Sequence, residues 1–111
     1  MKLIFTLMFT FFSFFQSDLE SLRNSYSKAN QSNENAKNFI ELAEKKNSSD
    51  VMISAYKAAA KVLEAKVTTE KNKRKSFVKS GATSLESLIK SNPNNAELRV
   101  IRMSVQENIP K

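Results

Sequence analysis

An uncharged, phenylalanine-rich run at the N-terminus limits how much of this chain can build a folded core. Lys2 is followed by thirteen residues without charge, residues 3–15, which hold six of the eight phenylalanines. A short positive start before roughly 7–15 apolar residues is typical of a secretory signal peptide, and a transmembrane helix needs about 20. The sequence therefore predicts a signal peptide over residues 1–17 and an exported protein, periplasmic or secreted. An uncleaved N-terminal anchor and a hydrophobic core helix are the alternatives.

Removal of residues 1–17 would leave residues 18–111 for folding, 94 residues in all. This length predicts a single domain. Its charge is uneven: residues 18–50 carry five basic and six acidic groups, and residues 51–111 carry twelve basic and five acidic ones. A basic C-terminal half favours contact with acidic groups, although lysine-rich helices also serve simply as soluble surface.

Apolar residues recur at helical spacing along the rest of the chain. A capping box at Ser17–Glu20 starts a first helix with Leu19, Leu22, Tyr26 and Ala29 on one face. Four more helices are predicted. The inward-facing residues of the second are Ala36, Phe39, Ile40 and Ala43. The third runs from Asp50 to Val67, with Met52, Ala55, Tyr56, Ala59, Val62, Leu63 and Lys66 facing inward. The fourth runs from Lys71 to Ser91, with Phe77, Val78, Gly81, Ala82, Leu85, Leu88 and Ile89 facing inward, and the fifth begins at Ala96, with Leu98, Ile101 and Val105 facing inward.

No segment alternates as a strand would, so the predicted fold class is all-α, with antiparallel helical hairpins. We expect Tyr56, Ala59, Leu63, Phe77, Gly81, Leu85 and Leu88 to form the central contact between the third and fourth helices. Gly81 is the chain's single glycine. In mid-helix it costs roughly 1 kcal/mol against alanine, which predicts close approach of a neighbouring helix there. Drift at a surface position is the alternative.

The turn that follows the fourth helix, residues 91–97, resembles the junction between tetratricopeptide (TPR) repeats. The resemblance covers about a dozen residues from Gly81 to Glu97, with Gly81 at the repeat's small-residue position and Leu85 at its large apolar one. The first half of the motif departs from the repeat, since Thr68 and Thr69 stand where leucine and glycine are expected. The sequence also contains a faint internal repeat of 45 residues. This repeat is compatible with stacked hairpins and equally with a small helical bundle. The resemblance implies a TPR-like hairpin fold. The composition also resembles that of small exported proteins of Bacteroidetes-type bacteria.

The residue inventory removes most enzymatic chemistry. The chain has no histidine, no cysteine and one glycine, so nucleophile pairs that need histidine, thiolate metal sites and glycine-rich phosphate loops are excluded. Glu41 and Glu44 share a helix face, but lysines surround them, as expected of a solvated surface. The sequence therefore predicts no enzyme and no catalytic, cofactor-binding or metal-binding residues.

One cationic strip is the candidate binding surface. Five cations occur within nine residues at the start of the fourth helix: Lys71, Lys73, Arg74, Lys75 and Lys79. Spacing of four residues places Lys71, Lys75 and Lys79 on one helical face, which suits acidic groups. No aromatic residue interleaves the strip except Phe77, which belongs to the apolar face, so base stacking and a nucleic-acid partner are not expected. A solvated helix end is the alternative.

Two functions are compatible with these features. The first is an exported helical module that binds another protein. The second is a cationic amphipathic protein that binds envelope surfaces or acidic polymers, with peripheral contact to a membrane. The fifth helix is short and is followed by Ile109 and Pro110, so we also expect the domain to be truncated at its C-terminus.

Overall fold

The computed structural model describes residues 19–47 and 50–108. They form five helices: α1 over residues 19–28, α2 Asn33–Lys45, α3 Val51–Val67, α4 Lys71–Ser91 and α5 Ala96–Asn108. Within these two ranges there is no β-strand, and the all-α prediction is confirmed. The predicted signal peptide, the Ser17 end of the capping box and the final Ile109 and Pro110 lie outside the described residues.

Helix α3 is the central element of the fold, because it packs against α2, α4 and α5. Six of the seven residues predicted to face inward on α3 are buried, and the seventh, Lys66, is exposed. Four further α3 residues are also buried: Ile53, Ala58, Ala60 and Ala65. A helix with neighbours on several sides has no single apolar stripe, so the predicted stripe describes only part of the buried surface.

Helix α4 crosses α3 at Gly81. A Cβ atom placed on Gly81 would lie 2.6 Å from the carbonyl oxygen of Ala58 and 2.7 Å from Cγ2 of Val62. The predicted close approach at this glycine is therefore confirmed. The α3 residues nearest Gly81 are Ala58, Lys61 and Val62, none of which is in the predicted list of contact residues.

The ring of Tyr56 packs among aromatic rings of α1 and α2. It lies edge-on to Tyr26 at 5.6 Å and to Phe39 at 6.4 Å between ring centroids. Tyr26 and Phe39 are themselves 5.0 Å apart. Together the three rings form the aromatic centre of the core, at distances where tilted and edge-to-face pairs are favourable.

Glu97 joins three helices at the start of α5. Its carboxylate accepts two hydrogen bonds from the Arg23 guanidinium, at 2.7 and 2.8 Å, and a third from the Tyr56 hydroxyl at 2.7 Å. The first turn of a helix favours a negative charge. These contacts hold α1 and α3 against α5.

Polar residues end and begin the helices at the turns between them. The Ser32 hydroxyl accepts a hydrogen bond from the Asn35 backbone N–H, and the Asn95 side chain accepts one from the Leu98 N–H. Asp50 lies at the N-cap of α3 without a side-chain capping bond. Lys57 of α3 donates to two carbonyl oxygens at the end of α2, those of Ala43 and Lys46.

Candidate functional site

An open groove of about 910 Å³ lies between α3 and α4. Its lining contains no carboxylate. Six hydroxyl side chains and three lysines contribute to it: Ser54, Ser76, Ser80, Thr83, Ser84 and Ser87, with Lys57, Lys61 and Lys79. Ala58 and Leu88 complete it. Hydroxyl and ammonium groups all donate hydrogen bonds, and the ammonium groups carry positive charge. The lining can therefore bind an acidic ligand.

The hydroxyl face of α4 follows directly from sequence spacing. Residues 76, 80, 83, 84 and 87 recur at intervals of three and four, which places them on one side of a helix. All five are exposed. None of these hydroxyls has a hydrogen-bond partner among the described residues, so water is the partner left to them. Their donors therefore face the groove without competition from the backbone.

Serine and threonine are costly choices for this helix face. Each costs up to about 0.7 kcal/mol against alanine in a helix interior. Buried packing does not explain them, because their side chains are exposed. Neither helix propensity nor buried packing therefore accounts for their position on this face.

The three lysines of the groove differ in the contacts that their ammonium groups already make within the protein. Lys57 is half-buried and its ammonium group donates to Lys46 O at 2.6 Å, so it serves mainly to end α2. Lys61 lies 5.7 Å from the centroid of the Phe77 ring and 3.6 Å from a carboxylate oxygen of Glu64. Lys79 is exposed and has no ion pair within the described residues. Lys79 and Lys61 are therefore the cations best able to meet a ligand.

The structure distributes the five predicted strip residues among different roles. The Arg74 guanidinium donates to the carbonyl oxygen of Thr68 at 3.1 and 3.3 Å, and so caps the end of α3. Lys73 pairs with the exposed Glu70 at 3.3 Å. Lys71 and Lys75 are exposed, and Lys79 lines the groove.

The break between α3 and α4 explains the role of Arg74. Thr68 is the C-cap of α3 and Glu70 the N-cap of α4, both in extended backbone conformations. The carbonyl oxygens at a helix end need partners from outside the helix. The sequence predicted one continuous cationic surface. Within it, Lys71, Lys75 and Lys79 form an exposed face, and among the described residues their side chains make no hydrogen bond or ion pair that stabilises the fold.

Contacts between helices shift the pKa of four ionisable groups. The hydrogen bond from Arg23 lowers the pKa of Glu97, and the same bond raises the pKa of Arg23. Burial, followed by the bond to Glu97, raises the pKa of the Tyr56 hydroxyl. Burial also raises the pKa of Glu64, with the neighbouring Glu44 carboxyl adding to the effect.

The described residues hold neither a candidate metal site nor a helix able to span a membrane. Across residues 19–47 and 50–108, no cluster of three or more histidine, cysteine, aspartate or glutamate side chains could hold a metal ion. None of the described helices combines the length and apolar character that crossing a membrane requires.

The hydroxyl groove was not predicted from the sequence, although a signal for it is present. The serine and threonine spacing on α4 is visible in the sequence, but serine is common on exposed helices and carries no charge to attract notice. Its partner residues Ser54 and Lys61 come from α3, so the pairing of the two faces depends on the helix packing at Gly81.

Comparisons with protein-family models, with curated proteins and with solved structures each found no match. The TPR-like resemblance of residues 81–97 therefore stays a prediction.

Proposed function

We propose that this chain is a helical interaction module, without enzymatic activity, that binds an acidic segment of another protein in the groove between α3 and α4. The observation that carries the proposal is the lining: six hydroxyls and three lysines with no carboxylate among them. A protein segment that carries aspartate or glutamate offers the complementary charge.

The overall charge supports the same class of partner. The chain has a formal net charge of +7, which attracts acidic ligands over a distance of about 8–10 Å at physiological salt. No aromatic side chain lines the groove, so a platform for stacking nucleobases is not among its features. An acidic polypeptide needs hydrogen-bond donors and positive charge, and the groove supplies both.

A second candidate function rests on the other exposed lysines of α4. Lys71 and Lys75 lie outside the groove lining, and both are exposed. Because they are four residues apart on one face of α4, they form a cationic ridge suited to an envelope surface or an acidic polymer. Such binding depends on charge density and not on the groove.

Two double variants that remove the same charge separate these functions. Lys61→Gln with Lys79→Gln alters the groove, and Lys71→Gln with Lys75→Gln alters the ridge of α4 outside it. Binding of a fluorescent oligoglutamate peptide and of vesicles with anionic lipid is measured for both, with circular dichroism as the check on folding. We expect the groove variant to weaken peptide binding at least fivefold and the ridge variant to change it less than twofold. Equal effects on the peptide contradict the proposal, and strong vesicle binding lost only in the ridge variant favours the second function.

We further propose that the protein acts after export, in the periplasm or outside the cell. The support is the uncharged run after Lys2, which is typical of a signal peptide. Intact-mass measurement of the protein from its native host is the test. We expect a mature chain that begins near Asp18, and a cytoplasmic protein whose mass includes residues 1–17 contradicts the proposal.

A further inference from the structure

We infer that the acidic segment bound in the α3–α4 groove is an extended chain that runs along α4, with acidic side chains at alternate positions facing Ser76, Ser80 and Ser84. This inference rests on the proposed function and adds to it the conformation and residue pattern of the partner.

The spacing of the hydroxyls on α4 is close to the side-chain spacing of an extended chain. Ser76, Ser80 and Ser84 are four residues apart in an uninterrupted helix, so successive hydroxyls are about 6 Å apart along its axis. In an extended polypeptide, side chains on one face repeat about every 6.7 Å. Over two repeats the two spacings differ by about 1.4 Å, which a flexible glutamate side chain can take up. Three alternate carboxylates can therefore each meet one hydroxyl.

The groups on either side of the hydroxyls fit the same ligand. Lys79 lies one residue before Ser80 on α4, and Lys61 faces the groove from α3. A hydroxyl that donates to a carboxylate forms a short, charge-assisted hydrogen bond, and the two ammonium groups neutralise the line of negative charge. Because the hydroxyls have no partners among the described residues, a ligand replaces only bonds to water at Ser76, Ser80 and Ser84.

The length of the groove fits a short extended segment. Ser76 to Ser87 spans about 16 Å along α4. About five residues of an extended chain cover the same length.

The test compares two acidic peptides that carry the same number of glutamates. One alternates glutamate with threonine and favours an extended chain, and the other is helix-forming with glutamates four residues apart. Their affinities for the full chain are measured by fluorescence anisotropy at one salt concentration. We expect the alternating peptide to bind at least fivefold more tightly.

A hydroxyl-deleted variant ties that preference to α4. Ser76→Ala, Ser80→Ala and Ser84→Ala together should reduce the ratio of the two affinities to below twofold, while Ser91→Ala, on the same helix but outside the groove lining, should leave it unchanged. Alanine is the better helix former, so the triple variant is expected to fold, which circular dichroism verifies.

The outcomes separate this inference from the proposed function. A preference below fivefold, or one that survives the triple substitution, overturns the extended register and leaves acidic-segment binding in place. Failure of both peptides to bind overturns the proposed function and this inference with it.

Discussion

Gly81 lies directly against the backbone of Ala58, so that a Cβ atom at Gly81 would come within 2.6 Å of the Ala58 carbonyl oxygen. This contact sets the distance between α3 and α4. The groove proposed as the binding site is formed by the same two helices, and Ala58 is part of its lining. The single glycine of the chain is thus tied both to the stability of the fold and to the shape of the site.

Replacement of Gly81 by alanine should destabilise the fold by about 1–3 kcal/mol. The added methyl group collides with a backbone oxygen and with Val62, and overpacking of this kind outweighs the gain of about 1 kcal/mol in helix propensity. Urea denaturation measures the change. Ser80→Ala, one residue away and exposed, is the control and should be neutral or slightly stabilising. A Gly81→Ala variant more stable than the natural chain would show that α3 and α4 are not in contact here.

Leu85 tests the buried face of α4. Its side chain is 1% exposed, so Leu85→Ala should cost about 2–5 kcal/mol in the free energy of unfolding. Val100→Ala on α5 is the matched control, because Val100 is 65% exposed and its loss should change stability by less than about 0.5 kcal/mol. A loss below about 0.5 kcal/mol at Leu85 would place that residue on the surface.

The contact between Arg23 and Glu97 should make stability depend on acid. Hydrogen bonding to Arg23 lowers the pKa of Glu97 in the folded state, so this contribution is present above the pKa of an unfolded glutamate, about 4.3, and is lost as pH falls through the lowered folded value. Glu97→Gln should cost about 1 kcal/mol at pH 7, a modest figure because both side chains are partly exposed. The difference from the natural chain should shrink between about pH 5 and pH 3 in urea denaturation. A difference that is constant across that range would show that ionised Glu97 contributes no stability.

Glu64 should have the opposite effect. Burial and the neighbouring Glu44 raise its pKa in the folded state, so the ionised form is less favourable in the folded protein than in the unfolded one. The relative stability that Glu64 contributes is present in acid and is lost as pH rises through its folded pKa. We expect Glu64→Gln to unfold at higher urea concentration than the natural chain at pH 7, with the difference gone below about pH 4. A variant less stable at pH 7 would mean that the 3.6 Å pair with Lys61 outweighs the burial.

The amphipathic helices and their ends were predictable from local patterns, and the long-range polar contacts were not. Leu98 and Val105 repeat at helical spacing on α5, and both are buried as predicted. The bonds from Arg23 and Tyr56 to Glu97 join residues that are 74 and 41 positions apart, so no local pattern indicates them.

The position of the cationic strip was predictable from the sequence, but the roles of its residues were not. The sequence placed five cations at the start of α4, but only the folded chain shows that Arg74 is used to cap α3. The groove was missed because it needs two helix faces brought together. Hydroxyl spacing on α4 is local information, whereas the approach of Lys61 from α3 follows from packing at Gly81.

The location of acidic-peptide binding is the most direct test of the central claim. The measurement is a two-dimensional ¹H–¹⁵N NMR titration of the labelled chain with an oligoglutamate peptide. We expect the largest shift changes in residues 54–61 and 76–88, the segments that line the groove, with small changes at Lys71, Lys75 and along α1. Shift changes concentrated at Lys71 and Lys75, or spread evenly over all exposed lysines, would contradict a binding site in the α3–α4 groove.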